Sequence, residues 1–90
     1  MPAHYRIIVK GKVQGVFYRA SAKQEAEALQ ITGFAKNQPD GSVLIEAEGD
    51  EASLQEFIAW CKIGPSHAQV SEVEATSGQV MGYTKFEIRK

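Results

Sequence analysis

Residues 5–30 read YRIIVKGKVQGVFYRASAKQEAEALQ, and the period of the apolar residues changes inside this stretch. Tyr5, Ile7 and Val9 alternate with Arg6, Ile8 and Lys10, the period of two that marks a strand with one mostly apolar face. Past Arg19 the period becomes helical: Ala22, Ala26 and Leu29 stand at i, i+4 and i+7, with Gln24, Glu25, Glu27 and Gln30 on other faces. An amphipathic helix is expected over residues 20–31, with Gly33 just past its end. The joint between the two elements, Lys10–Arg19, carries Gly11, Gly15, Gln14 and a closing arginine.

Two further segments extend the pattern. Residues 33–49 hold two apolar runs around Gln38-Pro39-Asp40-Gly41, where proline presets φ and glycine accepts φ > 0, so a β-hairpin is expected with Val43, Ile45 and Ala47 toward the core. Asp50 is an expected N-cap for a second helix, whose stripe is Leu54, Phe57, Ile58 and Cys61 and whose stop is Gly64-Pro65. QVSEVEAT, residues 69–76, reads as a strand with Glu72 and Glu74 outward. A looser segment, Ser77 to Thr84, leads to a last short strand, KFEIR, with Phe86 and Ile88 inward. The order βαββαβ plus a short terminal strand implies an α+β, ferredoxin-like split β-α-β sandwich. Both helices would lie on one face of an antiparallel sheet, with the first and third strands central.

The 90 residues suit a single domain, residues 1–90, able to bury one modest core. Hydrophobic content of 43%, charged content of 23% and a net charge of −1 give no global field favouring nucleic acid or a membrane surface. Cys61 is the single cysteine, so no intramolecular disulfide forms. No apolar run has the length of a signal peptide core or a membrane span, and a cytoplasmic monomer is expected. His4 and His67 are far apart and lack zinc-ligand spacing, so no metal or cofactor is expected.

Glycines at a strand-to-helix joint can turn successive backbone N–H groups inward as a nest for an anion. The following helix adds a dipole that favours negative charge. An arginine at the end of the loop offers a planar fork for phosphate oxygens. The loop lacks the Gly-Lys-Ser/Thr ending of a P-loop and the dinucleotide G-x-G-x-x-G. From the residues alone two readings stand: an anion cradle, or a plain glycine loop with a solvated Arg19. Asn37 is open in the same way, as a functional amide or as a cap of the hairpin turn.

Together these segments carry a resemblance. GKVQGVFYR, residues 11–19, resembles the first signature of the acylphosphatase family, Gly-x-Val-Gln-Gly-Val-x-aromatic-Arg. GFAKNQPDGSVLIEAEG, residues 33–49, resembles the second, Gly-aromatic-x-x-Asn-x-x-x-Gly-x-Val and, after five more residues, Gly. GPSHAQV, residues 64–70, is similar to the segment that follows the second helix in that family. Tyr18 departs from the family's more frequent phenylalanine or methionine but keeps the ring. The resemblance implies the same split β-α-β fold and hydrolysis of a small-molecule acyl phosphate to a carboxylate and inorganic phosphate, the latter a product and competitive inhibitor. It implies that Gln14, Gly15, Val16, Phe17 and Tyr18 present backbone N–H groups to the phosphate, that Arg19 binds its oxygens, and that Asn37 holds the attacking water.

That chemistry suits these residue types. The leaving group of an acyl phosphate is a carboxylate, a weak base, so no strong general acid is required and positioning with charge stabilisation dominates. An amide such as Asn37 cannot act as a base near neutral pH but can orient water. Lys10, Lys12 and Lys36 either add positive potential near the cradle or are ordinary solvated lysines. Rival functions on the same fold fit less well. RNA recognition would require aromatics in the RNP pattern and a basic face; a copper chaperone would require Cys-x-x-Cys. The alternative retained is a non-catalytic anion-binding or carbamoyl-phosphate-handling module, against which the chain's lack of room for further domains favours the free-standing enzyme.

Overall fold

The computed structural model describes residues 2–90. Its elements are β1 (Pro2–Lys12), α1 (Tyr18–Ala28), β2 (Thr32–Asn37), β3 (Val43–Asp50), α2 (Glu51–Cys61), β4 (Gln69–Gly78) and β5 (Phe86–Arg89). They form one five-stranded sheet of order β4-β1-β3-β2-β5, with β1 and β3 inside it as the pattern requires. Both helices cover one face, where Ile7, Val9, Ala35, Val43, Ile45 and Ala47 meet Ala22, Ala26, Leu54, Phe57, Ile58 and Cys61 in a single core. This is the ferredoxin-like α+β arrangement, and the expected stripe of α2 is buried in full.

The sheet is mixed rather than antiparallel throughout, because β5 runs parallel to β2. The cause is where β4 ends. His4, near the start of β1, pairs with Gly78 at the end of β4. The chain therefore crosses the sheet sideways, on the face away from the helices, and enters β5 beside β2 from the same end. Ser77 belongs to β4 rather than to a loose segment.

Three local expectations change. Helix α1 begins at Tyr18, two residues early, and ends at Ala28. Its exit uses Gln30 in the left-handed region (φ 58°), with Ile31 N–H donating to the Ala26 carbonyl at 2.8 Å, a Schellman-type closure. Gly33 is thus not the helix stop but a β2 residue, where a Cβ would lie 1.8 Å from the Glu46 carbonyl oxygen. Asp50 takes the N-cap position of α2 with extended backbone, but its side chain makes no capping bond.

Candidate functional site

The path from β1 to α1 explains where the loop side chains go. Val13 and Tyr18 are buried, and Val16 packs against the core, so alternate residues anchor the loop. Gly15 and Phe17 are exposed and line a cleft of about 280 Å³ with Val13, Tyr18, Arg19, Ala20, Asn37 and Ile88. Gly15 (φ 75°) and Phe17 (φ 62°) are left-handed while Val16 between them is not. Such alternation turns neighbouring N–H groups toward one point. The first bond of α1 runs from Ser21 N–H to the Phe17 carbonyl at 3.0 Å. The amides of Tyr18, Arg19 and Ala20 precede it, so helix geometry leaves them without an intrahelical acceptor.

The anchoring of Tyr18 fixes the origin of the helix. Its hydroxyl donates to the Cys61 carbonyl, at the end of α2, over 2.7 Å, and its ring lies 5.4 Å from that of Trp60. A Cβ on Gly64 would come within 2.8 Å of the Tyr18 ring, which explains the glycine there. Burial pushes the Tyr18 phenol far up, so it stays a donor. Burial also pushes the Cys61 thiol up to about 12, which makes it a core group and not a nucleophile.

Arg19, half-buried, enters the cleft at the start of α1. Its Nη1 donates to the Arg89 carbonyl on β5 at 2.7 Å. That partner is a neutral main-chain oxygen, so the positive charge is oriented without being cancelled. Among the described residues lining the cleft, Arg19 is the one charged side chain. Asn37 reaches the same cleft from the end of β2, where it pairs with Val43. Its Oδ1 is buried and has no hydrogen-bond partner within the protein. Buried acceptors are almost always paired, so an orphan in a residue that lines a cleft calls for a functional explanation.

The Gln14 side chain is turned to the neighbouring hairpin and not to the cleft. Its Nε2 donates to the carbonyls of Gln38 and Ser42, each at 2.8 Å. The side chain therefore ties the glycine loop to the hairpin that carries Asn37. The hairpin turn is itself closed by Gln38 N–H to the Ser42 carbonyl at 2.8 Å and by Ser42 Oγ to Asp40 Oδ1 at 2.6 Å. None of the three lysines lines the cleft, and Lys10 instead lies 3.4 Å from Glu74.

The acylphosphatase family model matches residues 5–88. The chain belongs to the acylphosphatase family. An acylphosphatase of Methylococcus capsulatus is 43% identical over 83 residues, covering 91% of this chain and 90% of that protein. Among solved structures, an acylphosphatase from Coxiella burnetii superposes with a TM-score of 0.95 at 39% identity, covering 98% of this chain and 93% of that one. The acylphosphatase from Bacillus subtilis gives 0.94 at 38% identity, with both chains covered in full. Acylphosphatase activity, hydrolysis of acyl phosphates, follows from this membership.

Two parts of this acylphosphatase were not foreseen from sequence. Ile88 has the helix-facing register of Ala35 on β2, yet it is 43% exposed. It sits on an edge strand beside the first turn of α1, where no helix covers it, and it becomes a wall of the cleft instead of core. The second part is a buried cluster on the other face. His4 places Nδ1 2.7 Å from Glu48 Oε2 and Nε2 2.5 Å from Glu46 Oε1. Glu48 accepts from the amides of Met81, Gly82 (3.0 Å) and Tyr83 (3.2 Å), in the segment that crosses the sheet. Burial alone would push the Glu48 carboxyl up. The Met81 amide, His4, and the Tyr83 and Gly82 amides outweigh it and hold it below the ordinary range. Alternation along β1 and β3 marks these side chains as facing away from the helices, but the crossing segment that pairs with them has no periodic signal.

Proposed function

We propose that the cleft hydrolyses the carboxyl-phosphate bond of acyl phosphates without a metal. The phosphate sits in the nest of amides from residues 14–18, with the Arg19 fork on its oxygens and Asn37 holding the water. The water oxygen attacks phosphorus, the phosphorus–oxygen bond to the acyl group breaks, and its electron pair leaves with the carboxylate. The water proton passes to a phosphate oxygen, since no lining side chain offers a base near neutral pH: a guanidinium has donors only, Tyr18 stays protonated and Asn37 is an amide. Preorganised donors and a fixed cation supply the charge stabilisation that phosphoryl transfer requires. The protein acts as a monomer in the cytoplasm, and inorganic phosphate competes with substrate.

One observation carries the reading: Asn37, whose buried Oδ1 has no partner within the protein, lines the same cleft as Arg19 and the left-handed loop residues Gly15 and Phe17. Benzoyl phosphate hydrolysis, followed by ultraviolet absorbance in excess EDTA across pH 5–9, tests it. Turnover without metal, competitive inhibition by phosphate and a pH profile free of a limb from an enzyme side chain are expected. Phosphate binding without turnover would leave an anion-binding module and reject the enzyme mechanism. A limb traced to His4 by mutation would reject the proton route.

A further inference from the structure

Phe17 is an unexpected occupant of its position. The nest requires a left-handed residue there, with φ 62° and ψ 24°. Glycine or asparagine would adopt that conformation at little cost, whereas a bulky L side chain is strained in it. The phenyl ring gains no burial in return, since Phe17 is 79% exposed. Local strain combined with an exposed large apolar group marks a position kept for something other than stability.

The same cleft is lined by Ile88, 43% exposed, on the strand whose Arg89 carbonyl orients Arg19. Val13 and Ala20 add to the apolar part of the lining, and Arg19 and Asn37 supply its polar part. The lining thus combines groups fit for an anion with side chains fit for an uncharged apolar group. The single lining cation is taken by the phosphate, so a second negative charge on the acyl group would find no cationic partner in the lining, and apolar side chains beside it. A volume of about 280 Å³ is at the small end for ligand sites, enough for a phosphate joined to one ring or a short branched chain.

We infer that the Phe17 ring and the Ile88 side chain form the seat of the acyl group, and that the chain prefers uncharged aryl acyl phosphates over small or acidic ones. This rests on the phosphate lying in the loop as proposed above. Because the seat touches the part of the substrate that changes least during phosphoryl transfer, its contribution is to binding, and it acts mainly on KM.

The test compares kcat/KM for benzoyl, acetyl and succinyl phosphate in the wild type, Phe17→Asn and Ile88→Thr. Asparagine tolerates the left-handed backbone, and threonine keeps β-branching on the strand. Inorganic phosphate inhibition is measured in parallel to read the cradle itself. The benzoyl-to-acetyl ratio should fall by at least about fivefold in each variant, through KM, while phosphate inhibition shifts by less than that factor. Succinyl phosphate should be the poorest substrate of the wild type. An unmoved ratio, or phosphate inhibition weakened by the same factor as benzoyl phosphate, overturns the acyl seat and leaves the phosphate site standing. A wild type that hydrolyses none of the three overturns the enzyme mechanism, and the acyl seat with it.

Discussion

The two faces of the sheet each hold a polar cluster, and the clusters differ in what they leave unpaired. On the outer face His4, Glu46, Glu48 and three consecutive amides satisfy one another. On the helix side, Arg19 keeps its charge uncancelled, a buried acceptor of Asn37 is orphaned, and the first amides of α1 have no intrahelical acceptor. A satisfied network belongs to the fold, because each member stabilises its neighbours. An unsatisfied one is a standing cost that persists where a ligand completes it. The glycines follow the same division: Gly33 and Gly64 make room for backbone and ring, whereas a Cβ on Gly15 would meet nothing within 4 Å, so its role there is conformational.

The contrast can be broken by removing one member from each cluster. Arg19→Ala should lower kcat/KM by about 10³-fold, roughly 4 kcal/mol in the barrier, with unfolding free energy changed by less than about 1 kcal/mol. Arg19→Lys should recover little, since an ammonium cannot offer the planar fork. If steady-state kinetics instead show near-normal turnover, the cleft is not the site. Glu48→Ala should have the opposite signature. It strands three amides and His4, so urea denaturation should report a loss of about 3 kcal/mol, with activity per folded molecule within about twofold.

Glu48 also sharpens the contrast through pH. Its carboxyl is held below the ordinary range in the folded chain, so the folded state favours the carboxylate. The stability it contributes is present in full above the unfolded value, about 4.3, and is lost as pH falls through the lower folded value. The acid limb of a stability profile should therefore flatten in Glu48→Gln, a variant that cannot titrate.

Asn37→Ala should reduce kcat by about 10²-fold with a smaller change in KM. Deleting a buried acceptor that has no partner should leave thermal stability unchanged or raise it by up to about 1 kcal/mol. A clear loss of stability would mean that Asn37 serves the hairpin and would move it to the other side of the comparison. The smallest effect is expected for Tyr18→Phe, which leaves the Cys61 carbonyl without its donor and should cost about 1 kcal/mol by calorimetry.

Much of the fold could be read from periodicity. The stripe Leu54, Phe57, Ile58, Cys61 and the alternation Val43, Ile45, Ala47 report burial directly, because one face of each element must leave water. Element ends were less legible. Gln30 rather than a glycine closes α1, and Asp50 caps α2 by position without a side-chain bond, since end geometry depends on a few dihedrals that no pattern encodes. The resemblance of residues 11–19 and 33–49 to acylphosphatases named the groups around the cleft. It did not distinguish Arg19, which lines the cleft, from the Gln14 side chain, which braces the loop.

Sequence by itself determined the order of strands and helices, the apolar faces, and the two motifs that resemble the acylphosphatase signatures. These depend on residues close together in the chain, where spacing and burial are coupled by the geometry of a helix or a strand. Tertiary structure decided the rest. It made β5 parallel, turned Ile88 from an expected core residue into a cleft wall, aimed Arg19 with a carbonyl 70 positions away, and closed the outer face through Glu48. Each of these joins residues far apart in sequence, and such contacts exist only once the sheet has brought its edges into place.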